Sequence, residues 1–123
     1  VQAADIADII TFLNGRTGEE CSYIQHMARS TIQMVTDSID AYVKQDLLLA
    51  QKVIVDDDIV DDDFTKTKNF LIDMISQNTA DGEYAMDLLM IAKYFERIGD
   101  HAVNIAEWVQ FSVTGVHKGE AEL

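Results

Sequence analysis

The chain contains no proline, a single cysteine and only six glycines in 123 residues. So few turn-forming residues disfavour a fold built from many tight turns and favour long helices. Cys21 cannot form a disulfide within the chain, which is typical of proteins in a reducing compartment. The sequence also lacks a recognisable signal peptide and any apolar run of about 20 residues. We therefore predict a cytosolic protein that does not insert into a membrane.

Positive charge is scarce as well, with 9 Lys and Arg residues against 22 Asp and Glu residues, for a net charge of −13. This is too little positive charge to neutralise a run of phosphates, which excludes nucleic acid as a partner. It also disfavours binding to an anionic membrane surface. Cations and basic protein surfaces are the partners that the charge favours. With 48% hydrophobic residues, the chain has enough apolar surface to fold as one globular domain.

Apolar residues recur at helical spacing over most of the chain, which predicts four helices. The first covers residues 3–13, and the second runs from a capping box at Thr17–Glu20 to about Gln45. Asp46 is the predicted N-cap of a third helix over residues 47–77. Thr79 is the predicted N-cap of the fourth helix, which ends at Thr114-Gly115.

The second helix has one apolar and one polar face. A stripe of apolar residues is predicted to face the core: Ile24, Met27, Ala28, Met34, Val35, Ile39 and Tyr42. The opposite side of the helix carries His26, Arg29, Gln33, Asp37 and Asp40, and we predict that His26 is solvated.

Three helices of about 30 residues with very short connections must run antiparallel to their neighbours. We therefore predict an all-α fold, an up-down three-helix bundle over residues 17–115 with an additional short N-terminal helix over 1–14 and a disordered tail over 116–123. Residues 2–10 match residues 101–109 in type, which indicates that residues 1–14 end a preceding helical repeat of a longer protein. Loss of that repeat would expose apolar residues of the first helix, so we expect a homodimer, formed by exchange of this helix.

Six aspartates occupy eight positions from Asp56 to Asp63. A solvated acidic helix face is the ordinary explanation of such a run. Against it, like charges four residues apart destabilise a helix by about 0.2–0.5 kcal/mol per pair. In addition, the apolar stripe of the third helix places Asp57 toward the core, where an unpaired charge is costly. Asp61 lies one turn further along, at the edge of the stripe.

A second set of oxygen ligands lies on the fourth helix, in the stretch YFERIGDHAVNIAEW. Glu96, Asp100 and Asn104 are spaced by four residues and therefore share one helix face. Small residues recur every seven positions on the same helix: Ala92, Gly99 and Ala106. Such a seam lets another helix approach closely and bring its own ligands within reach. The alternative is that Glu96 pairs with Arg97 or with a lysine of a neighbouring helix.

The two sets together predict a metal site made of Asp57, Asp61, Glu96, Asp100 and Asn104, since bundles bind metal with carboxylates from facing helices. Carboxylate and amide oxygens suit Mg²⁺, Ca²⁺, Mn²⁺ or iron. A di-iron site of the ferritin type would need a Glu-x-x-His pair, which the chain lacks, and one cysteine with three histidines disfavours zinc. On residue types alone, a salt-bridge network without metal explains the pattern equally well.

The run ERIGDHAVNIAEW resembles the signature of the PhoU family, whose members are built from two three-helix repeats. The resemblance extends to Ala50-x-x-Val53-Ile54 and to Asp57-x-x-x-Asp61. It implies that residues 1–13 end the first repeat and that residues 17–115 form the second. It also implies a Glu/Asp-x-x-x-Asp metal motif, which falls on Asp57/Asp61 and Glu96/Asp100, and which holds multinuclear clusters of iron or other metals in some members.

The same resemblance implies a cytosolic regulatory adaptor, not an enzyme, that negatively regulates phosphate uptake and phosphate signalling. The expected partners are the ATPase subunit of the phosphate ABC transporter and a sensor histidine kinase. Two alternatives stay open. One is a PhoU-like soluble module of a phosphate transporter. The other is a metal-dependent phosphohydrolase, in which Arg97 would be the one cation near the two sets of oxygen ligands to hold an anionic substrate.

Overall fold

A computed structural model describes residues 19–115 as three long helices joined by short connections. α1 spans Glu19–Lys44, α2 spans Leu47–Gln77 and α3 spans Gly82–Thr114, with a 3-10 turn over Thr79–Asp81 before α3. Each helix packs against the other two. The prediction of an all-α bundle of three long helices is therefore confirmed. Several predictions concern residues outside this range. They are the helix over 3–13 with the homodimer inferred from it, Thr17 of the capping box, and the tail over 116–123.

The connection between α1 and α2 consists of Gln45 and Asp46. Gln45 turns the chain with a φ of 53°, and the Asp46 N–H donates to the Ala41 carbonyl at 3.0 Å. The Asp46 carboxylate accepts the Leu49 N–H at 3.1 Å, so Asp46 is the N-cap that the sequence predicts. A two-residue connection reverses the chain, and α1 and α2 therefore lie side by side.

The connection between α2 and α3 differs from the prediction, because Thr79 does not cap α3. The Asn78 side chain accepts the Ala80 N–H at 3.1 Å and begins the 3-10 turn instead. This turn delays the start of α3 to Gly82. An amide side chain that captures a nearby N–H stabilises a tight turn as readily as it caps a helix.

The C-terminal end of α3 lies where the sequence predicts it. Gly115 has a φ of 77° and donates its N–H to the Phe111 carbonyl at 2.6 Å. Glycine adopts this left-handed conformation without the strain that a Cβ atom would cause, which is why the helix ends here. Within residues 19–115, no helix combines the length and the apolar character that a membrane span requires.

The core lies between the inner faces of the three helices. Large buried side chains from all three form it: Ile24, Met27, Met34, Val53, Val60, Leu88 and Val109. The predicted inward stripe of α1 is wrong at Ile39 and Tyr42, which are 50% and 53% exposed. Ser38 and Ala41 are buried in their place. Because Ser38 bonds its hydroxyl within its own helix, it can be buried at low cost, and its small size lets the helices approach closely.

Candidate metal site

The small residues of α3 lie in the interior of the bundle, facing its other two helices. Ala92, Gly99 and Ala106 are all buried, as the seven-residue repeat predicts. A Cβ atom added to Gly99 would lie 3.4 Å from Oδ1 of Asp57 and 3.7 Å from Sδ of Met34. Glycine at this position therefore lets a carboxylate of α2 and a thioether of α1 reach the backbone of α3.

Asp57 occupies the core-facing position that the apolar stripe of α2 predicts. Its side chain is half-buried, and its Oδ1 atom is fully buried with no hydrogen-bond partner among the described residues. Burial raises the pKa of the Asp57 carboxyl to about 6, and repulsion from neighbouring carboxylates adds to the increase. A buried carboxylate oxygen without a donor is costly, so this atom favours a cation.

Four of the five predicted ligands form one group, which we call the carboxylate cluster: Asp57 and Asp61 of α2 with Glu96 and Asp100 of α3. Asp61, Asp100 and Glu96 all lie close enough to Asp57 to raise its pKa by charge repulsion. The pKa of Asp61 is raised as well, first by partial burial and then by Glu96 and Asp100. Asn104 lies one turn beyond Asp100, is exposed, and contributes no charge to the cluster.

Glu96 has a cationic partner, although not the one considered from the sequence. Lys93, one turn earlier on α3, donates to the Glu96 carboxylate. The Lys93 ammonium also lies 5.2 Å from the centre of the Phe64 ring of α2. The lysine therefore neutralises the half-buried Glu96 from the edge of the cluster, whereas Asp57 has no such partner.

The six aspartates from Asp56 to Asp63 face different surroundings, and Asp58 and Asp62 are exposed. Asp56 accepts from Lys52 at 2.8 Å, and the same ammonium donates to Asp37 of α1 at 2.9 Å. Gln33 also donates to Asp37 at 2.9 Å, within α1. The apolar stripe predicts Asp37 on the opposite side of α1, yet Asp37 is only 7% exposed. The available signal was the four-residue spacing of Lys52 with Asp56 and of Gln33 with Asp37.

Asp63 also faces α1 and not the carboxylate cluster. Its Oδ2 atom lies 2.6 Å from Nδ1 of His26. His26 is exposed, as predicted, yet it has this partner from the next helix. A contact between residues 37 positions apart leaves no local pattern, so it could not be predicted from the sequence.

The carboxylate cluster fits the hard metal ions that the sequence predicts. Its donors are carboxylate oxygens, and one of them is buried without a partner. Among residues 19–115, however, no three His, Cys, Asp or Glu side chains are already gathered as a complete ligand set. Asp61 and Asp100 are exposed. The metal site and its ligands therefore remain a prediction.

Comparison with known proteins gives one family and several relatives. The model of the PhoU domain matches residues 24–109. A phosphate-specific transport system accessory protein PhoU homolog of Clostridium acetobutylicum is 34% identical over 92% of this chain and 52% of its own length. A homolog from Thermotoga maritima is 32% identical over 79% of this chain and 42% of its own length. A homolog from Caulobacter vibrioides is 35% identical over 75% of this chain and 40% of its own length. No solved structure matches the chain.

Proposed function

This chain belongs to the PhoU family, and we propose that it is a module of an accessory protein of phosphate-specific transport. The observation that carries the proposal is the PhoU-domain match over residues 24–109, which includes most of each helix and the whole carboxylate cluster. The relatives are named as accessory proteins of this transport system. The chain spans about half the length of those relatives, so the proposal concerns one module.

The proposed role is that of a cytosolic regulatory adaptor that restrains phosphate uptake and signalling. Its proposed partners are the ATPase subunit of the phosphate ABC transporter and a sensor histidine kinase. The net charge of −13 supports recognition of a basic protein surface, because complementary charge accelerates and orients association. Docking requires no nucleophile or general base from this chain.

Direct binding tests the adaptor role. We expect the purified chain to bind the isolated ATPase subunit in surface plasmon resonance, with an association rate that falls steeply as ionic strength rises. The same chain is then titrated with a histidine kinase domain while the ATPase subunit is bound. Competition would show that the two partners share one surface of this chain, and simultaneous binding would show two separate surfaces. Failure to bind either protein at low ionic strength, with and without added Mn²⁺, would overturn the adaptor role of this module.

We further propose that the carboxylate cluster holds a metal ion in a structural or regulatory role. Asp57, Asp61, Glu96 and Asp100 would provide the charged ligands, with Asn104 as the outermost oxygen. A bound divalent or ferric ion supplies positive charge at this site. The residues on α2 and α3 would hold the ion from both sides, so binding would offset carboxylate repulsion and fix the distance between the helices.

Metal analysis of variants tests this site apart from any partner. We expect protein dialysed against Mn²⁺ or iron to retain metal by mass spectrometry, and both Asp57→Asn and Asp100→Asn to lose most of it. Asp73→Asn is the matched control, since Asp73 is an exposed aspartate of α2 outside the cluster. Retention of the same metal content by all three variants would refute the proposed ligands.

A further inference from the structure

A shallow groove of about 290 Å³ lies between α1 and α2, and its lining belongs to those two helices alone. It combines hydrogen-bond donors and cations with one aromatic ring: Ser22, Tyr23, His26, Arg29 and Lys66. Glu19 and Asp63 complete the lining. The carboxylate cluster, in contrast, is shared by α2 and α3. The groove is therefore a separate feature, and nothing in the proposed metal site uses it.

The cations of the groove are available for a ligand. In the part of the chain that the structure describes, neither Arg29 nor Lys66 forms an ion pair, whereas Lys52 and Lys93 both do. Asp63 is already bonded to His26 at 2.6 Å and is 16% exposed in its side chain. Glu19 is thus the one carboxylate of the lining without an ion pair among the described residues.

We infer that this groove binds a phosphoryl dianion. Charges beyond about 8 Å are largely screened at physiological ionic strength, so the groups of the groove matter more than the net charge of the chain. There Arg29 and Lys66, which have no ion pair among the described residues, face Glu19, while Asp63 is already bonded to His26. The Arg29 guanidinium has the forked donors that match two oxygens of a phosphoryl group, and Lys66 adds a point charge. Ser22 supplies a hydroxyl donor. A dianion interacts with both cations more strongly than a single carboxylate does.

The size of the groove indicates that the phosphoryl group can be part of a larger molecule. A volume of about 290 Å³ exceeds what a phosphate ion fills. Tyr23 provides an aromatic surface at the groove, and its ring is held by Phe70, with ring centres 5.2 Å apart. A small organic body attached to the phosphoryl group can therefore pack on Tyr23.

Titration of the whole chain with inorganic phosphate and with adenosine monophosphate tests the inference. EDTA is present throughout, so that no metal in the carboxylate cluster can hold the phosphate. We expect saturable binding of at least one ligand by isothermal titration calorimetry. Tighter binding of the nucleotide indicates that the groove takes a phosphorylated small molecule, and equal binding indicates free phosphate; both outcomes support the inference.

Variants decide whether the groove is the site. Arg29→Ala and Lys66→Ala should each weaken binding about tenfold, since each removes a charge-assisted contact, and Glu19→Gln should strengthen it. Lys68→Ala is the matched control, because Lys68 is an exposed lysine two residues beyond Lys66 that does not line the groove.

Folding of each variant is checked by circular dichroism. Arg29→Lys, which retains the charge but not the fork, should give an intermediate affinity. Two results would overturn the inference: no binding of either ligand, or equal weakening by Lys66→Ala and Lys68→Ala.

Discussion

Gly99→Leu is expected to lower the free energy of unfolding by about 3 kcal/mol, whereas Gly99→Ala should change it by less than about 1 kcal/mol. The reason is the short distance between α3 and its neighbours at Gly99. A Cβ atom at position 99 just fits, 3.4 Å from Asp57 Oδ1 and 3.7 Å from Met34 Sδ. A leucine side chain has no space beyond that point, so α2 and α3 would have to separate.

Urea denaturation at pH 7 in the presence of EDTA measures both effects. Gly82 is the control position, since it lies in the same helix and a Cβ atom added there would meet nothing within 4 Å. Gly82→Leu should therefore be neutral or stabilise α3 slightly through helix propensity. If Gly99→Leu and Gly82→Leu changed the free energy of unfolding equally, close helix packing would not explain the glycine at position 99.

Asp57→Asn is expected to stabilise the metal-free protein by roughly 2 kcal/mol at pH 8 and to lose this advantage in acid. The pKa of the Asp57 carboxyl is about 6 in the folded protein, against an ordinary value of 3.8. The folded state therefore binds a proton more tightly than the unfolded chain does. The Asp57 contribution to stability rises as the pH falls from above 6 toward 3.8. Above pH 6 the charge destabilises the fold, and the amide removes that charge.

The magnitude follows from the size of the pKa change. One pKa unit corresponds to about 1.4 kcal/mol. Water that reaches the half-buried side chain screens part of the repulsion, which reduces the expected value to roughly 2 kcal/mol. Neighbouring carboxylates titrate in both proteins, so the difference between wild type and variant reports the Asp57 charge together with its repulsion of those neighbours.

Stability measured in EDTA at several pH values between 4 and 8 tests this. The gap between Asp57→Asn and wild type should be widest at pH 8 and close by about pH 4. Asp73→Asn, an exposed position on the same helix, should show a small difference that varies little with pH. A gap for Asp57→Asn that stays constant across this range would contradict the raised pKa of Asp57.

The fold was predictable because its signals are local. Asp46 and Gly115 mark helix ends through bonds to residues three or four positions away, and both were identified. Thr79 was assigned wrongly for the same local reason, since Asn78 competes for the neighbouring N–H groups and adds a 3-10 turn. The helical spacing of apolar residues was enough to predict most of the buried positions. It failed at Ile39, where the close approach of helices selects small side chains over large ones.

The candidate site was predictable only in part. Asp57, Asp61, Glu96 and Asp100 were identified by four-residue spacing. In the structure their charges lie close enough to repel one another, but no three such side chains gather as a metal ligand set among residues 19–115. The partner of Asp63, in contrast, lies on another helix: it is His26 of α1. A contact between helices depends on how each helix is rotated about its axis, and no pattern within one helix gives that rotation.

The sequence by itself thus determined an acidic bundle of three long helices, the helix ends at Asp46 and Gly115, and a seam of small residues on α3 with carboxylates on α2 and α3. Tertiary structure alone decided which aspartates of α2 belong to which neighbour. Successive residues point about 100° apart around a helix, so Asp56 and Asp57 face different partners although they are adjacent in sequence. Asp56 pairs with Lys52, whose ammonium also holds Asp37 of α1, while Asp57 lies against Gly99 of α3 with a buried oxygen that no described residue satisfies.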